Sequence, residues 1–289
     1  MSISILETKN LTHIYSKGTT SQVDAIRDVN LKIEKGELVG IIGHTGSGKS
    51  TLIQHFNGLL KGTSGTVLLD GKDIWEDKSK IRNVRFRVGI CFQYPEYQLF
   101  EETVYKDIAF GPSNMKLSKD EIDRRVRNVI KFVGLDESYF EKSPFDLSGG
   151  EKRRVAIAGV MAMEPDVLIL DEPCAGLDPK GRDTVLSLIS QYRKSTGSTV
   201  LVVSHSMEDI SKIATRVLVM NESKLAYYDT VDAVFSHSEE LKSMGLNIPA
   251  LTSLFLRLKE KGYNVNTNIY TLEKARDELL TLLKGGKSE

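Results

Sequence analysis

Gly43-His44-Thr45-Gly46-Ser47-Gly48-Lys49-Ser50, with Thr51 behind it, is the stretch on which the fold turns. A short apolar run, Leu38-Val39-Gly40-Ile41-Ile42, precedes it and reads as a buried strand. Thr51-Leu52-Ile53-Gln54-His55-Phe56 follows and reads as the first turns of a helix. Strand, glycine-rich turn and helix is the context in which G-x-x-x-x-G-K-[ST] forms a phosphate-binding loop. The glycines let successive backbone N–H groups turn inward, and the helix N-terminus adds its partial positive charge. Lys49 is then placed to neutralise the β- and γ-phosphates of a nucleotide, and the Ser50 hydroxyl to ligate Mg²⁺. The bare pattern arises by accident in roughly one chain of this length in a hundred. With strand and helix on either side, a plain solvent loop is the weaker reading.

Outward from this loop, near-continuous apolar runs recur: Arg87-Val88-Gly89-Ile90-Cys91-Phe92, Asp166-Val167-Leu168-Ile169-Leu170, Ser198-Thr199-Val200-Leu201-Val202-Val203 and Arg216-Val217-Leu218-Val219-Met220. Runs without alternation belong to strands covered on both faces, hence to a parallel sheet flanked by helices. Gln93, the pair Asp171-Glu172 and His205 each follow one of these runs, as the phosphate loop follows its own. The C-terminal edge of such a sheet is where open α/β folds bind ligands. Before the loop, Ile3, Ile5 and Leu11, then Val29, Leu31 and Ile33, alternate as antiparallel strands do, and Gly65-Thr66-Val67-Leu68-Leu69-Asp70-Gly71 reads as a further strand running into a turn. Tyr15 lies in the first alternation, where its ring either stacks on a nucleotide base or packs on the sheet.

Between Gln93 and Asp171 the pattern turns helical. Ser118-Lys119-Asp120-Glu121 is a capping box, and Ile122, Val126, Val129, Ile130 and Val133 give an apolar face that Gly134 ends. A second helix is expected from Ser148 through Ile157 to Met163, with Pro165 beyond it. Past about Asp232 come two short amphipathic stripes, Leu251-Leu254-Phe255-Leu258 and Leu272-Ala275-Leu279-Leu283. They are too short to form a core of their own and are expected to pack on the main domain or on a partner. Residues 284–289 read as a frayed end.

The chain has 289 residues, enough for one large domain with an appendage, and equal numbers of basic and acidic residues, 39 each. That balance disfavours nucleic acid as the main partner, which calls for a basic excess. Cys91 and Cys174, the two cysteines, fit a reducing compartment rather than a disulfide scaffold. The first residues lack a basic stretch followed by a long apolar one, and no apolar run approaches the ~20 residues of a membrane span. The expectation is a soluble protein, or one held on a membrane through a partner.

Leu147-Ser148-Gly149-Gly150-Glu151 separates this chain from the other phosphate-loop proteins, because it resembles the signature motif of ABC ATPases. The phosphate loop, Gln93, Asp171-Glu172, Leu177-Asp178 and His205 fall in that family's order over residues 1–235. The resemblance implies a P-loop NTPase core with a parallel sheet, an N-terminal antiparallel β subdomain, a helical subdomain inserted at about 94–165, and a small α-rich C-terminal extension at 236–289 for dimerisation or regulation. It implies that ATP and Mg²⁺ are bound by residues 43–51 with Tyr15 on the adenine. Ser50, Gln93 and Asp171 would lie about the metal, Glu172 would be general base or water-orienting group, and Gln93 and His205 would attend the water and the γ-phosphate. Ser148, Gly149 and Gly150 would grip the nucleotide of an opposite subunit in a head-to-tail dimer. The plainer alternatives are a helix-capping acid at Glu172 and a buried, hydrogen-bonded histidine at His205.

Two segments resemble energy-coupling-factor ATPases more narrowly: Gln93-Tyr94-Pro95-Glu96-Tyr97-Gln98-Leu99-Phe100-Glu101-Glu102-Thr103-Val104, and Asp171 to Arg182, which is similar to the second-type ATPase subunit with Cys174 in place of Ser or Thr. The resemblance implies an ATPase powering uptake of vitamins or transition-metal ions. It would be peripheral on the cytoplasmic face of the cell membrane, paired with a sister ATPase in a heterodimer or a homodimer. Its other partners would be a transmembrane coupling subunit and a substrate-capture membrane subunit, with no nucleic acid. The alternatives are a conventional ABC importer ATPase and a soluble ABC protein acting on nucleic acid or ribosomes; the latter would carry tandem ATPase domains, a long coiled-coil insertion or a basic linker. Tyr97, Leu99 and Phe100 are expected to floor a docking groove with Glu96, Glu101 and Glu102 at its rim; the alternative is a short helix with its apolar residues turned inward.

Overall fold

The computed structural model of the chain describes residues 4–285. Ile3 and residues 286–289, part of the first alternation and of the end read as frayed, lie outside the described residues. Two sheets make the frame. Strands β1 (Ser4–Tyr15) and β2 (Val23–Glu34) form an antiparallel sheet with β4 (Ser64–Leu69) and β5 (Lys72–Asp73), in the order β2-β1-β4-β5. Strands β3 (Leu38–Ile42), β6 (Val88–Cys91), β7 (Val167–Asp171), β8 (Thr199–Val203), β9 (Arg216–Asn221) and β10 (Lys224–Thr230) form the second, ordered β10-β9-β3-β8-β7-β6. Its pairings are parallel from β9 to β6, and β10 adds an antiparallel edge beyond the five strands legible in the sequence.

Strands β3, β7 and β8 are buried at every residue, as runs of Val, Ile and Leu covered on both faces must be. One apolar cluster lies between this sheet and the antiparallel sheet and holds Phe56, Ile33 and Leu218. The other lies on the opposite face and joins the sheet to the helical elements. Helix α1 (Lys49–Phe56) follows the phosphate loop, and α2 (Ile81–Arg87) leads into β6 and takes up Arg87, which the sequence had placed in the strand. Arg87 pairs with Asp70 of the antiparallel sheet and, at 2.5 Å, with Asp166 at the start of β7, tying the two layers together.

Three helices form the insertion: α3 (Val104–Asn114), α4 (Lys119–Phe132) and α5 (Gly149–Met161). The Ser118 hydroxyl caps α4, and Gly134 follows that helix at φ 71°. Helix α5 carries a complete capping box between Ser148 and Glu151. Returning to the core, α6 (Pro179–Thr196) starts with Asp178 as N-cap and a proline in its first turn, and Gly197 ends it at φ 70°. The last core elements are α7 (Met207–Ile213), α8 (Val231–Ser236) and α9 (Ser238–Ser243). The main cluster continues through Leu241 and Leu246 to Ile248.

Helices α10 (Ala250–Glu260) and α11 (Leu272–Gly285) do form a small core together, contrary to expectation. Phe255 is fully buried against Val265, Ile269 and Ala275. The loop between the helices supplies two of those four residues, and helical stripes alone could not foretell them. The unit also docks on the main domain, where Leu256 and Tyr270 meet the core and the Tyr270 hydroxyl donates to Asp232 Oδ1 at 2.7 Å. Leu254, Leu272 and Leu283, placed on the stripes, are exposed.

His55 is fully buried in α1, where its Nδ1–H donates to the Thr51 carbonyl at 2.7 Å, leaving Nε2 3.2 Å from His13 Nδ1. Burial pushes its pKa down from 6.5 to about 4. Below pH 6.5 the unfolded chain takes up a proton here that the folded chain refuses. Stability present above that pH is therefore lost as pH falls towards 4, by about 3 kcal/mol in all. Urea midpoints measured from pH 7 to pH 4 are expected to fall less steeply in His55→Gln than in the parent chain; equal slopes would refute this assignment.

Candidate functional site

The strand order sets the site. Phosphate loop, His205, Asp171-Glu172 and Gln93 follow four strands that are neighbours in space, β3, β8, β7 and β6, at one edge of the sheet. Register holds them level: Ile41 and Asp171 both face Val203 on β8, and Cys91 faces Leu170. The four polar signals read separately along the chain are therefore one constellation.

Within the loop, close approach requires two of the glycines. A Cβ on Gly43 would stand 2.4 Å from the Met220 carbonyl, and one on Gly48, at φ 102°, would stand 2.3 Å from the Ala25 carbonyl. Lys49 is buried, and its Nζ donates to the carbonyls of Gly43 and His44 at 2.7 and 3.0 Å. Burial pulls its pKa down, while Glu172 and Asp171 hold it up. His44 turns its Nδ1 to the Thr45 carbonyl at 2.7 Å; Thr45, Gly46 and Ser50 are exposed, and Thr51 is half-buried. Ser47 Oγ is buried and, among the described residues, has no hydrogen-bond partner. Tyr15 ends β1 beside this loop, with its hydroxyl 3.3 Å from Thr51 Oγ1 and its ring edge-on to His13. The ring is 39% exposed, and its edge contact with His13 keeps it against the sheet, so the geometry suits both readings of it.

Asp171 is the last, buried residue of β7 and Glu172 the first beyond it, held at φ 50°. That backbone is costly for a residue with a side chain, by roughly 1–3 kcal/mol, and persists where the surroundings fix it. Here the Glu172 N–H donates to the Val203 carbonyl at 3.0 Å. Glu172 is no helix cap, since α6 begins at Pro179 with Asp178 in that place. Glu172 Oε1 is buried without a hydrogen-bond partner among the described residues, and His205 Nε2 stands 3.4 Å from it. Burial and the neighbouring Asp171 push the Glu172 carboxyl up to about 7. Burial likewise raises Asp171, against the pull of Lys49. The His205 side chain is 54% exposed, not the buried histidine of the alternative, and partial burial together with Lys49 lowers its pKa.

Ser148, Gly149 and Gly150 open α5, on the inserted helices rather than on the sheet edge. Ser148 Oγ donates to Glu151 at 2.6 Å, and Tyr139 donates to the same carboxylate at 2.7 Å. These hydrogen bonds hold Glu151 down at about 2, ionised at the helix N-terminus. Gln93 is exposed and is followed by Tyr94 at φ 55°, where the chain leaves the sheet for the turn Pro95–Gln98. Cys91 and Cys174 are buried thiols pushed up to about 12, which removes any ground for a redox role.

A cavity does lie beside this segment, but its lining differs from the expected one. A cavity of about 620 Å³ lies between the core and the inserted helices, lined by Leu99 and Phe100 together with Phe86, Phe110, Arg82 and Arg85. Tyr97, 85% exposed, does not line it, and neither do Glu96, Glu101 and Glu102. Glu96 turns inward to Arg153, and Glu102 pairs with Lys106 one helical turn on. The charged residues that line the cavity are Arg82, Arg85 and Asp107.

A central parallel sheet with a phosphate loop, a second glycine-opened helix on an inserted helical layer and an antiparallel β layer defines an ABC-type ATPase. The ABC transporter domain family matches residues 26–175. The chain is 56% identical to the energy-coupling factor transporter ATP-binding protein EcfA2 of Clostridium tetani, over 98% of this chain and 97% of that protein. It is 52% identical to the protein of that name from Clostridium perfringens, over 98% and 99%. Among solved structures it is similar to cbiO1 of Clostridium perfringens, part of the ABC transporter complex cbiONQ, at 40% identity and TM-score 0.75, covering 90% of this chain and 98% of that one. It also resembles an ATP-binding cassette solved as a dimer in a post-hydrolysis state with ADP and Pi, at 28% identity and TM-score 0.69, covering 78% and 98%. The chain belongs to the ABC transporter family, within its energy-coupling factor transporter ATP-binding proteins: it is an ATPase coupled to transport, and ATP is its substrate. No helix among the described residues is long and apolar enough to cross a membrane.

Proposed function

We propose that this ATPase sits on the cytoplasmic face of the cell membrane and powers uptake of a vitamin or a transition-metal ion. In this reading it pairs with a sister ATPase, docks on a transmembrane coupling subunit, and leaves substrate capture to a further membrane subunit. The observation that carries the reading is the alignment of four polar segments on one sheet edge, with a groove beside them that Gln98, Leu99 and Phe100 of the Gln93 segment line. Residues 43–51 cradle the phosphates, with Tyr15 on the adenine. Ser50, Asp171 and Gln93 would hold Mg²⁺, which shields phosphate charge when bound, and the buried orphan oxygens of Ser47 and Glu172 fit a polar ligand in this cradle. Glu172 orients the attacking water, and His205, beside it, contacts the γ-phosphate. Phosphoryl transfer asks mainly for positioning and charge stabilisation, which groups from four strands can supply.

The signature residues Ser148, Gly149 and Gly150 act on the partner's nucleotide in a head-to-tail dimer; the dimeric state of the related cassette with ADP and Pi supports this arrangement. Residues 1–235 form the ATPase domain and 236–289 the extension, whose first part, through Ile248, continues the main core and whose exposed Leu272 and Leu283 suit a contact with the sister subunit. The groove takes an apolar segment of the coupling subunit. Phe100 and Phe110, packed edge-to-face at 4.9 Å and 57% and 46% exposed, are its anchors. Phe100→Asp and Phe110→Asp are expected to leave ATP binding by the isolated subunit intact and to abolish its copurification with detergent-solubilised membrane partners. Copurification at the parent level in both variants would refute the groove assignment.

A further inference from the structure

Arg153, in the second turn of α5, touches two other segments that carry the site. It is 3% exposed, and four of its five guanidinium N–H groups have partners. Nε and Nη2 donate to the two oxygens of Glu96 at 3.0 and 2.8 Å, a bidentate pair. Nη1 donates to the carbonyls of Ala175 and Pro173 at 2.6 and 3.3 Å. Glu96 stands three residues beyond Gln93, Pro173 and Ala175 stand directly after Glu172, and α5 itself opens at Ser148.

We infer that Arg153 is a positioning residue for ATP turnover, locking the Gln93 segment and the turn after Glu172 to the helix that Ser148 opens. This rests on the reading of Glu172 as the water-orienting group. A buried ion pair alone would be weak grounds, since such pairs often add little stability. The two carbonyl contacts are what an ion pair would not need. They brace a turn whose first residue, Glu172, holds a left-handed backbone that must be fixed from outside. Glu172 accepts at its own carbonyl from the Ala175 N–H at 3.1 Å, so Arg153 closes the turn from the far side. The planar fork reaches both directions at once, as a lysine's single ammonium cannot. Movement of the groove and the Gln93 segment is thereby passed to Glu172 through one side chain.

The test is steady-state ATP turnover by the full chain in its transporter complex. Arg153→Lys is expected to fold, keep KM for ATP within about twofold and lower kcat by about tenfold, the scale of a slightly misplaced catalytic group. The exchange Glu96→Arg with Arg153→Glu is expected to re-form the ion pair without restoring kcat, because a carboxylate at 153 cannot hold two carbonyls. Glu96→Gln, which keeps the arginine, is expected to lower kcat severalfold with KM unchanged, and it carries the test should the lysine variant fail to fold. Parent-level kcat in Arg153→Lys, in the exchange or in Glu96→Gln overturns the proposal. The control is Glu172→Gln: if it too turns over normally, the reading of Glu172 has failed and takes the proposal with it. If it is inactive while Arg153→Lys is not, the proposal alone has failed.

Discussion

Glu172→Gln is expected to slow ATP turnover by a factor of about 10²–10³ while leaving ATP binding near the parent value, on the scale of a lost general base. The substitution removes the charge but keeps the shape, and it spares Asp171, Lys49 and the phosphate loop. The ATP-bound dimer should accordingly live longer, visible as a dimer peak in gel filtration with ATP. Because burial and Asp171 hold the Glu172 carboxyl up at about 7, the group is partly protonated, and idle, at neutral pH. For the parent chain kcat/KM, which reports the free enzyme, should therefore rise with pH through about 7 and level off above it. In Glu172→Gln the residual rate should lack that limb. Parent-level turnover in the variant, or a rising limb that survives in it, would remove Glu172 from the proposed role.

The second large effect is expected from Ser148→Arg. Ser148 is exposed and caps α5 on the helical layer, while the phosphate loop lies on the sheet, so its damage should fall on a neighbouring subunit's nucleotide. In a mixed dimer carrying the substitution in one subunit only, photocrosslinking of ATP should drop at least tenfold at the partner's loop and stay within twofold at its own. A long cation in place of the hydroxyl blocks the anion site and removes the hydroxyl's own hydrogen bonds with Glu151. Loss confined to the substituted chain would mean that each subunit completes its own site.

Much of this architecture was legible because the determining signals are local. A phosphate loop announces itself between a strand and a helix, and the buried strands show in uninterrupted runs of Val, Ile and Leu. Other elements lacked such a signal. Helix α3 contains Gly111 and Pro112, which read as breakers; it forms because its apolar face is buried against α5. Helix α6 has its signals in Asp178-Pro179 and Gly197, and Asp178 serves both as its N-cap and as part of the Leu177-Asp178 motif. The groove's rim was misread for a reason that no local pattern holds. Glu96 has its partner 57 residues away, so a carboxylate that looked solvated is buried against Arg153. Arg153 carries no local signal for the same reason, standing among Glu151, Lys152 and Arg154 with its partners on other segments. The satellite around Phe255 depends on loop residues Val265 and Ile269, which carry no helical period.

The two buried cysteines have a chemical consequence of their own. Cys91 lies two residues before Gln93, and Cys174 two residues after Glu172, so one thiol stands beside each of the two segments that Arg153 joins. With their pKa values pushed up to about 12, almost no thiolate exists in the closed chain, and alkylating reagents find nothing to attack. Each sulfur becomes reactive only when its own strand end or turn opens, and the rate of modification then measures the free energy of that opening. The chain thus carries a native pair of local clocks, one for the segment that faces the groove and one for the turn that carries the acid.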